Sequence, residues 1–504
     1  MATLGQRAEQ VLERLGDVPS IFFEGSWHSS GGLASRASRA AAGFREMGVA
    51  PGDRVVVMMA NCPEVGIAYA ALWRMGAVPT PVLFLLSLDE LRHVVTDSGA
   101  VAVVTTPEFL ATCRAAAPGL PLVVVEPDPA ADPAGVTPWA QLEAQPETGL
   151  VDRDDDDLAA LLYTGGTTGR SKGVALTHAG LDAAGAAGYA AGHLPGRTRG
   201  LLPLPLAHAY GLLVAVTGLH AVEASTSVLM RWFDPAGFLR LVQEHGVQTS
   251  ALVPSMIGML LTQPLEEFDL SSLERVSSGG APLSVEVARE FERRVPSVQI
   301  AEGYGCTESS ALISAQPPHE RRLGTVGRPV TGVEVRIEDA NGAVLAPGVD
   351  GEICVRGPVL MRGYWHSPEA TAETLRGGWL HTGDIGHLDA GGYLSVVDRL
   401  KDLIIRNGFN VYPRDVEDVL LAHPDVIAAA VVGRPDLRVG EEVVAFVSLR
   451  PGSTCTPEAL VAHAREHLSA AKYPRDVRVV DAVPLTSVLK TDRKALRTLL
   501  REGP

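Results

Sequence analysis

Through the first three hundred residues, short β-branched runs alternate with longer alanine-rich stretches. "DRVVVMMA" (53–60), "AVAVVTT" (100–106), "LPLVVVE" (120–126) and "QTSALVP" (248–254) predict buried parallel strands, and 33–47 and 63–75 predict the helices between them. That alternation implies βαβ units. From about residue 326 the texture changes to short strands and turns, "VEVRIEDANGAVLAPGVDGEICVRG" (333–357), where Asn341-Gly342 and Pro347-Gly348 punctuate hairpins. After "GGYLSVVDRLKD" (391–402) come further strands, "IAAAVVGRP" (427–435) and "EEVVAFVSLR" (441–450), and a helix near 457–468. The predicted fold class is therefore α/β: a large N-terminal domain of doubly wound βαβ subdomains plus a β-rich subdomain, followed by a small mobile α+β C-terminal domain. The expected boundaries are 1–397 for the large domain, a hinge at 398–401 and 402–504 for the small domain.

The length of 504 residues agrees, since it exceeds what one hydrophobic core serves and points to roughly two to four folding units. No fixed-period repeat appears. A net charge of −16 excludes nucleic-acid binding through a general positive field, so any anion must be held by local groups. The five cysteines, Cys62, Cys113, Cys306, Cys354 and Cys455, are scattered and odd in number, without CxxC spacing. That pattern excludes a disulfide framework and a zinc site and suits a reducing cytoplasm. The N-terminal stretch "MATLGQRAEQVLERLG" carries charges throughout and lacks the apolar core of a signal peptide, so a cytoplasmic protein is expected.

One uncharged run, 200–222, is long enough to span a bilayer. Pro203, Pro205, His208, Gly211 and His220 interrupt it, and a buried strand, loop and helix are expected there instead of a transmembrane segment. The acidic run 154–157 is read as a solvated loop. For "PTPVLFLLSLDEL" (79–91) core packing is the default, with a subunit contact or an acyl tunnel as alternatives.

"YTGGTTGRSKG" (163–173) carries the first candidate chemistry. Glycines let backbone N–H groups converge on an anion, threonine hydroxyls add donors, and Lys172 contributes a point charge suited to polyphosphate. Read alone, the stretch also fits a flexible hairpin. A P-loop is excluded, because that pattern needs Gly-Lys-Ser/Thr, whereas Ser171 precedes Lys172 and Gly173 follows it.

Four further stretches occur in order: "EGYGCTE" (302–308), "WLHTGDIG" (379–386), "DRLKDLIIRNGFNVYPRDVE" (398–417) and "PLTSVLKTDRKALR" (484–497). Isolated Thr-Glu or Gly-Asp pairs are ordinarily turns or caps. The ordered set, spanning essentially the whole chain, resembles the adenylate-forming superfamily of acyl-CoA synthetases, nonribosomal adenylation domains and luciferases, and comes nearest to its fatty or aryl acid–CoA ligases. It departs from the usual family pattern at Gly165, where Ser is common, and at Leu489, where Gly is common.

The resemblance implies ATP, Mg²⁺ and coenzyme A as reactants and cofactors. It assigns Thr164, Gly165, Gly166, Thr167, Thr168, Gly169 and Lys172 to the pyrophosphate-side loop. It further assigns Gly280, Ala281, Glu302, Gly303, Tyr304, Thr307, Asp384 and Arg399 to the nucleotide site, with Tyr304 against adenine and Thr307 on the α-phosphate. Glu308 is the implied magnesium ligand, and Asp384 the acceptor for the ribose hydroxyls, assisted by Arg399. Lys490 is the implied catalytic lysine bridging carboxylate and phosphate, Lys401 the hinge, and Gly408 the lining of a pantetheine channel.

"LPLPLAHAYGLL" (202–213) resembles the segment lining the family's acyl pocket and contributes His208, Ala209, Tyr210 and Gly211, with Ser278 and Gly279 opposite. It holds no acidic residue to pair an α-ammonium, which disfavours an amino-acid substrate. It also holds no Arg or Lys for a second carboxylate, although a cation can come from elsewhere in the fold. An apolar monocarboxylic acid, fatty or aryl, is the expected substrate. The expected partners are that acid, ATP and CoA, on a monomer or homodimer. The alternatives are a stand-alone adenylating enzyme loading a carrier protein, and a silent nucleotide-binding regulator. The presence of Lys172, Glu308, Asp384 and Lys490 together argues against the regulator.

Overall fold

The computed structural model describes residues 2–126, 135–164, 170–486 and 490–502. The predicted apolar runs become strands because they are short, rich in β-branched residues and buried on both faces. Val55, Val56 and Val57 are fully buried in Arg54–Met58, which pairs in parallel with Val78–Pro81 and Ala102–Thr105. Leu122–Val124 and Val136–Pro138 complete a five-stranded parallel sheet. The helix Pro63–Met75 starts with proline in its first turn and stops at left-handed Gly76. The helix predicted at 33–47 instead spans Ser30–Glu46, since the Ser29 hydroxyl caps it by accepting from the Gly32 N–H.

A second, nine-stranded sheet forms the floor of the site. Its parallel centre runs Gln299–Tyr304, Arg275–Ser278, Thr249–Leu252, Arg199–Leu202, Thr226–Leu229 and Pro19–Phe23, with antiparallel strands at both edges. The uncharged run 200–222 supplies the strand Arg199–Leu202, a loop and the helix Ala209–Gly218. Among the described residues no helix is long and apolar enough to cross a membrane.

The apolar stretch after Pro79 packs internally. Phe84 stacks on Phe109 at 5.5 Å between ring centroids and meets Trp232 edge-on at 4.8 Å, whereas Leu85 stays exposed.

Leu158–Thr164 and Lys172–Thr177 form an antiparallel hairpin with Thr164 opposite Lys172, and Gly363–Tyr364 adds a third strand. Lys172 thus opens a strand, where the lysine of a P-loop would open a helix. The β-rich part is the antiparallel sheet of Glu334–Glu338, Gly351–Arg356, Trp379–Leu388 and Leu394–Arg399, with Leu375–Arg376 at its edge.

A short 3₁₀ turn, Leu400–Asp402, follows Arg399, and Ile404–Arg406 then opens a separate sheet with Phe409–Val411, Val426–Asp436, Gly440–Leu449 and Asp476–Val479. That sheet has its own core of Ile404, Val416, Leu420, Val431, Val443 and Leu460. Arg414 seats it on the rest of the chain, donating to the Val396 carbonyl at 2.6 Å and the Leu283 carbonyl at 3.3 Å.

Candidate active site

A cavity of about 370 Å³ opens at the carboxyl ends of Arg275–Ser278 and Gln299–Tyr304 and runs beneath the helix Ala209–Gly218. Strand carboxyl ends are where an open α/β sheet forms a ligand crevice. His208, Ala209 and Tyr210 line one wall and Ser278, Gly279 and Gly280 the other. Glu302, Gly303, Tyr304, Thr307 and Lys490 also border the cavity, so segments far apart in the chain converge there.

His208 is set by the helix it caps. The Tyr210 N–H donates to its Nδ1 at 3.2 Å, which leaves the ring's proton on Nε2. Burial, reinforced by the Lys490 charge, pushes its pKa down to about 3, so the imidazole is a neutral donor at physiological pH. The Ser278 hydroxyl is buried and without a hydrogen-bond partner among the described residues. Gly211 faces away from the cavity: a Cβ there would stand 2.2 Å from the Pro205 carbonyl oxygen, so only glycine lets the helix start so close to the preceding loop. Ala281, beside Gly280, does not border the cavity either.

Tyr304 donates its hydroxyl to Asp384 at 2.6 Å, and Arg399 holds the other carboxylate oxygen at 2.9 Å. The antiparallel pairing that puts Asp384 directly opposite Arg399 fixes this chain. Glu308 lies in the turn Thr307–Ser309 and accepts from the Tyr364 hydroxyl at 2.8 Å. The Lys172 ammonium sits 5.0 Å from the Tyr364 ring centroid, so Tyr364 joins the glycine-loop lysine to the acidic residue. Sequence reasoning passed over Tyr364. Its only local signal was an aromatic residue after Gly363, and its role comes from pairing with Val174. Gly165, Gly166, Thr167, Thr168 and Gly169 lie outside the described residues.

Lys490 comes from the small domain. Its backbone N–H donates to the Thr486 Oγ1 at 3.2 Å and its carbonyl accepts from the Thr486 N–H at 2.6 Å, which aims the side chain at the cavity. Its Cε would lie 3.6 Å from a Cβ on Gly280. Gly408 is elsewhere, in an exposed Asn407-Gly408 turn with φ +78°, and Lys401 sits exposed in the 3₁₀ turn between the sheets. Neither borders the cavity.

Residues 8–365 match the family model of AMP-binding enzymes, and residues 415–490 match that of the AMP-binding enzyme C-terminal domain. The chain belongs to the AMP-binding enzyme family. This AMP-binding enzyme is 38% identical to a feruloyl-CoA synthase of Amycolatopsis over 90% of each chain. It is 34% identical to a medium/long-chain-fatty-acid–CoA ligase of Mycobacterium tuberculosis, over 98% of this chain and 89% of that one. Among solved structures, ATP-bound MatB of Rhodopseudomonas palustris superposes with a TM-score of 0.90 at 30% identity, covering 99% of both chains.

Burial, with Arg399 next in importance, pushes the Lys490 ammonium down to about 8. Between about pH 8 and the ordinary lysine value of 10.5 the unfolded chain holds more protons at this group, so its contribution to stability rises with pH. The cation, however, is lost. We expect kcat/KM for acid-dependent pyrophosphate release to fall above about pH 8 with no matching loss of thermal stability. A flat profile to pH 10 measured alongside unchanged melting contradicts a role for the charged form.

Proposed function

We propose that this AMP-binding enzyme is an ATP-dependent carboxylate–CoA ligase acting on a fatty or aryl acid with an apolar body. The observation that carries the reading is Lys490 of the small domain entering the cavity that His208, Gly279 and Thr307 also border. A carboxylate is a poor electrophile until attack on the α-phosphate of ATP makes it a mixed anhydride with AMP as the leaving group. That step needs a cation beside the attacking oxygen and donors on the phosphate, aligned before reaction.

Lys490 supplies the cation, the Thr307 hydroxyl reaches the α-phosphate, and His208 offers a neutral N–H to orient the acid. Asp384, fixed by Tyr304 and Arg399, receives the ribose hydroxyls. Leu201, Leu213 and Val214 take the apolar body of the acid. Glu308 suits a divalent cation, because Tyr364 holds one carboxylate oxygen and no hydrogen bond among the described residues reaches the other. Magnesium there would neutralise the departing pyrophosphate.

The thioester step requires a different face of the small domain. With residues 398–401 as hinge and Lys401 as pivot, rotation withdraws Lys490 and brings Gly408 toward the acyl-adenylate. Five free cysteines, with Cys62, Cys113 and Cys354 buried, fit work in a reducing cytoplasm.

The function is tested by supplying aliphatic and aromatic acids of graded length and measuring pyrophosphate. One class should release it without CoA and form acyl-CoA and AMP when CoA is added. Pyrophosphate release with transfer to a carrier-protein thiol, and none to CoA, supports the carrier-loading alternative.

Gly408→Leu should keep pyrophosphate release and slow thioester formation from supplied acyl-AMP and CoA at least tenfold. A side chain at φ +78° is strained by roughly 1–2 kcal/mol, so Gly408→Asn, which tolerates left-handed backbone, serves as the control for folding. Wild-type acyl-CoA formation by Gly408→Leu places the channel elsewhere.

A further inference from the structure

The deep end of the cavity holds a charge that the reaction at its mouth does not use. Arg275 opens the strand Arg275–Ser278, and Arg275, Ser277 and Gly279 alternate along the side facing the cavity. At about 3.3 Å per residue, the Arg275 backbone lies roughly 13 Å down the strand from Gly279. The residue is only 5% exposed. It borders both the acyl cavity and a second cavity of about 240 Å³ behind it, forming part of the wall between them.

The local charges do not balance. Arg197 pairs with Glu274 at 2.5 Å and Arg321 pairs with Glu292, so each neighbouring arginine has its own carboxylate. Among the described residues Arg275 has no ion-pair partner. One Nη donates to the Gln316 carbonyl at 3.3 Å, and the Nε has no hydrogen-bond partner among the described residues. Burial and the charges of Arg197 and Arg321 all press against its cationic form. A lysine could respond by losing its proton, but a guanidinium stays charged in proteins. A buried, unpaired cation is costly unless an anion joins it.

We propose that Arg275 is the specificity-determining residue for the far end of the substrate: the acid carries, opposite its reacting carboxyl, a terminal oxyanion, most simply a second carboxylate, that seats on the Arg275 guanidinium. The inference rests on the ligase reading above. The segment 202–213 offers no cation of its own, and Arg275 brings one to the same cavity from another strand. Leu201, Leu213 and Val214 contact the body of such an acid, while the guanidinium accepts its tail in the fork geometry that suits carboxylates. ATP-dependent activation at the mouth is unchanged.

The test compares α,ω-dicarboxylic acids, from hexanedioic to dodecanedioic, with monocarboxylic acids of equal carbon number, and para-carboxylated with unsubstituted phenylpropenoic acid. Wild type, Arg275→Met and Arg275→Lys are each assayed for pyrophosphate release and for thermal stabilisation by the acid alone. At one or more lengths wild type should favour the diacid at least tenfold in kcat/KM. Arg275→Met should lose more than tenfold on that diacid while holding or gaining on the monoacid, and Arg275→Lys should recover part of the preference.

A wild-type preference for the monoacid in every pair, with a ratio that Arg275→Met leaves within twofold, overturns the inference and leaves the ligase reading intact. Pyrophosphate from no acid contradicts the ligase reading. The inference is then decided by whether a diacid raises the melting temperature of wild type and not of Arg275→Met. Should Arg275→Met fail to fold, the same comparison is read from Arg275→Gln, which removes the charge but keeps a polar side chain.

Discussion

Lys490→Ala should nearly abolish acyl-adenylate formation while leaving the conversion of supplied acyl-AMP and CoA to acyl-CoA close to wild type. The lysine reaches the cavity only because the small domain is seated on the large one, with Arg414 bonded to the Val396 and Leu283 carbonyls. Its ammonium is desolvated, which strengthens its interaction with charge developing between carboxylate and phosphorus. Removing one preorganised donor of this kind costs roughly 10²–10³ in rate, and loss of a full charge should lie at or beyond the upper end. On the proposed rotation Lys490 is away from the acyl-adenylate during the second half-reaction, so its absence should cost little there. Equal loss in both half-reactions would mean that Lys490 shapes the pocket or the fold, and a melting curve separates the two.

Glu308→Gln should lower turnover by orders of magnitude with little change in melting temperature. The substitution keeps the side chain's size and its ability to accept from the Tyr364 hydroxyl, so packing around the Thr307–Ser309 turn survives. It removes the negative charge that would hold a divalent cation against the leaving pyrophosphate. Raising the magnesium concentration should recover part of the rate, since a weakened site is filled by mass action. Wild-type kinetics across a magnesium titration contradict the assignment.

The two residues differ in how far the chain announces them. Glu308 stands in a compact motif, and its surroundings follow from the strand that ends at Tyr304. Lys490 lies in a tail whose basic residues look like an ordinary helix start, and its position depends on how one domain sits on another. Parallel strands such as Arg54–Met58 and Leu122–Val124 were legible because double-sided burial demands near-continuous apolar runs. The short strands Ser314–Ala315 and Arg328–Pro329 at one end of the large sheet were not, since pairs of two residues exist only through their neighbours. Tyr364 and Arg275 were missed for a related reason. Each has unremarkable local context, and each acquires its surroundings through pairing with distant strands, Lys172–Thr177 for one and Thr249–Leu252 for the other. His208 could be named from the sequence as a pocket residue, but its neutral state and tautomer follow from capping geometry that only the structure shows.

If the acid's own oxygen attacks the α-phosphate of ATP, that oxygen must leave with AMP, and isotope transfer reads it out. An accepted acid labelled with heavy oxygen in its carboxylate is incubated with enzyme, ATP, magnesium and CoA, and the products are weighed by mass spectrometry. One labelled oxygen is expected in AMP for each acyl-CoA formed and none in pyrophosphate. Label in inorganic phosphate with ADP as the nucleotide product, or AMP formed without label, would contradict it.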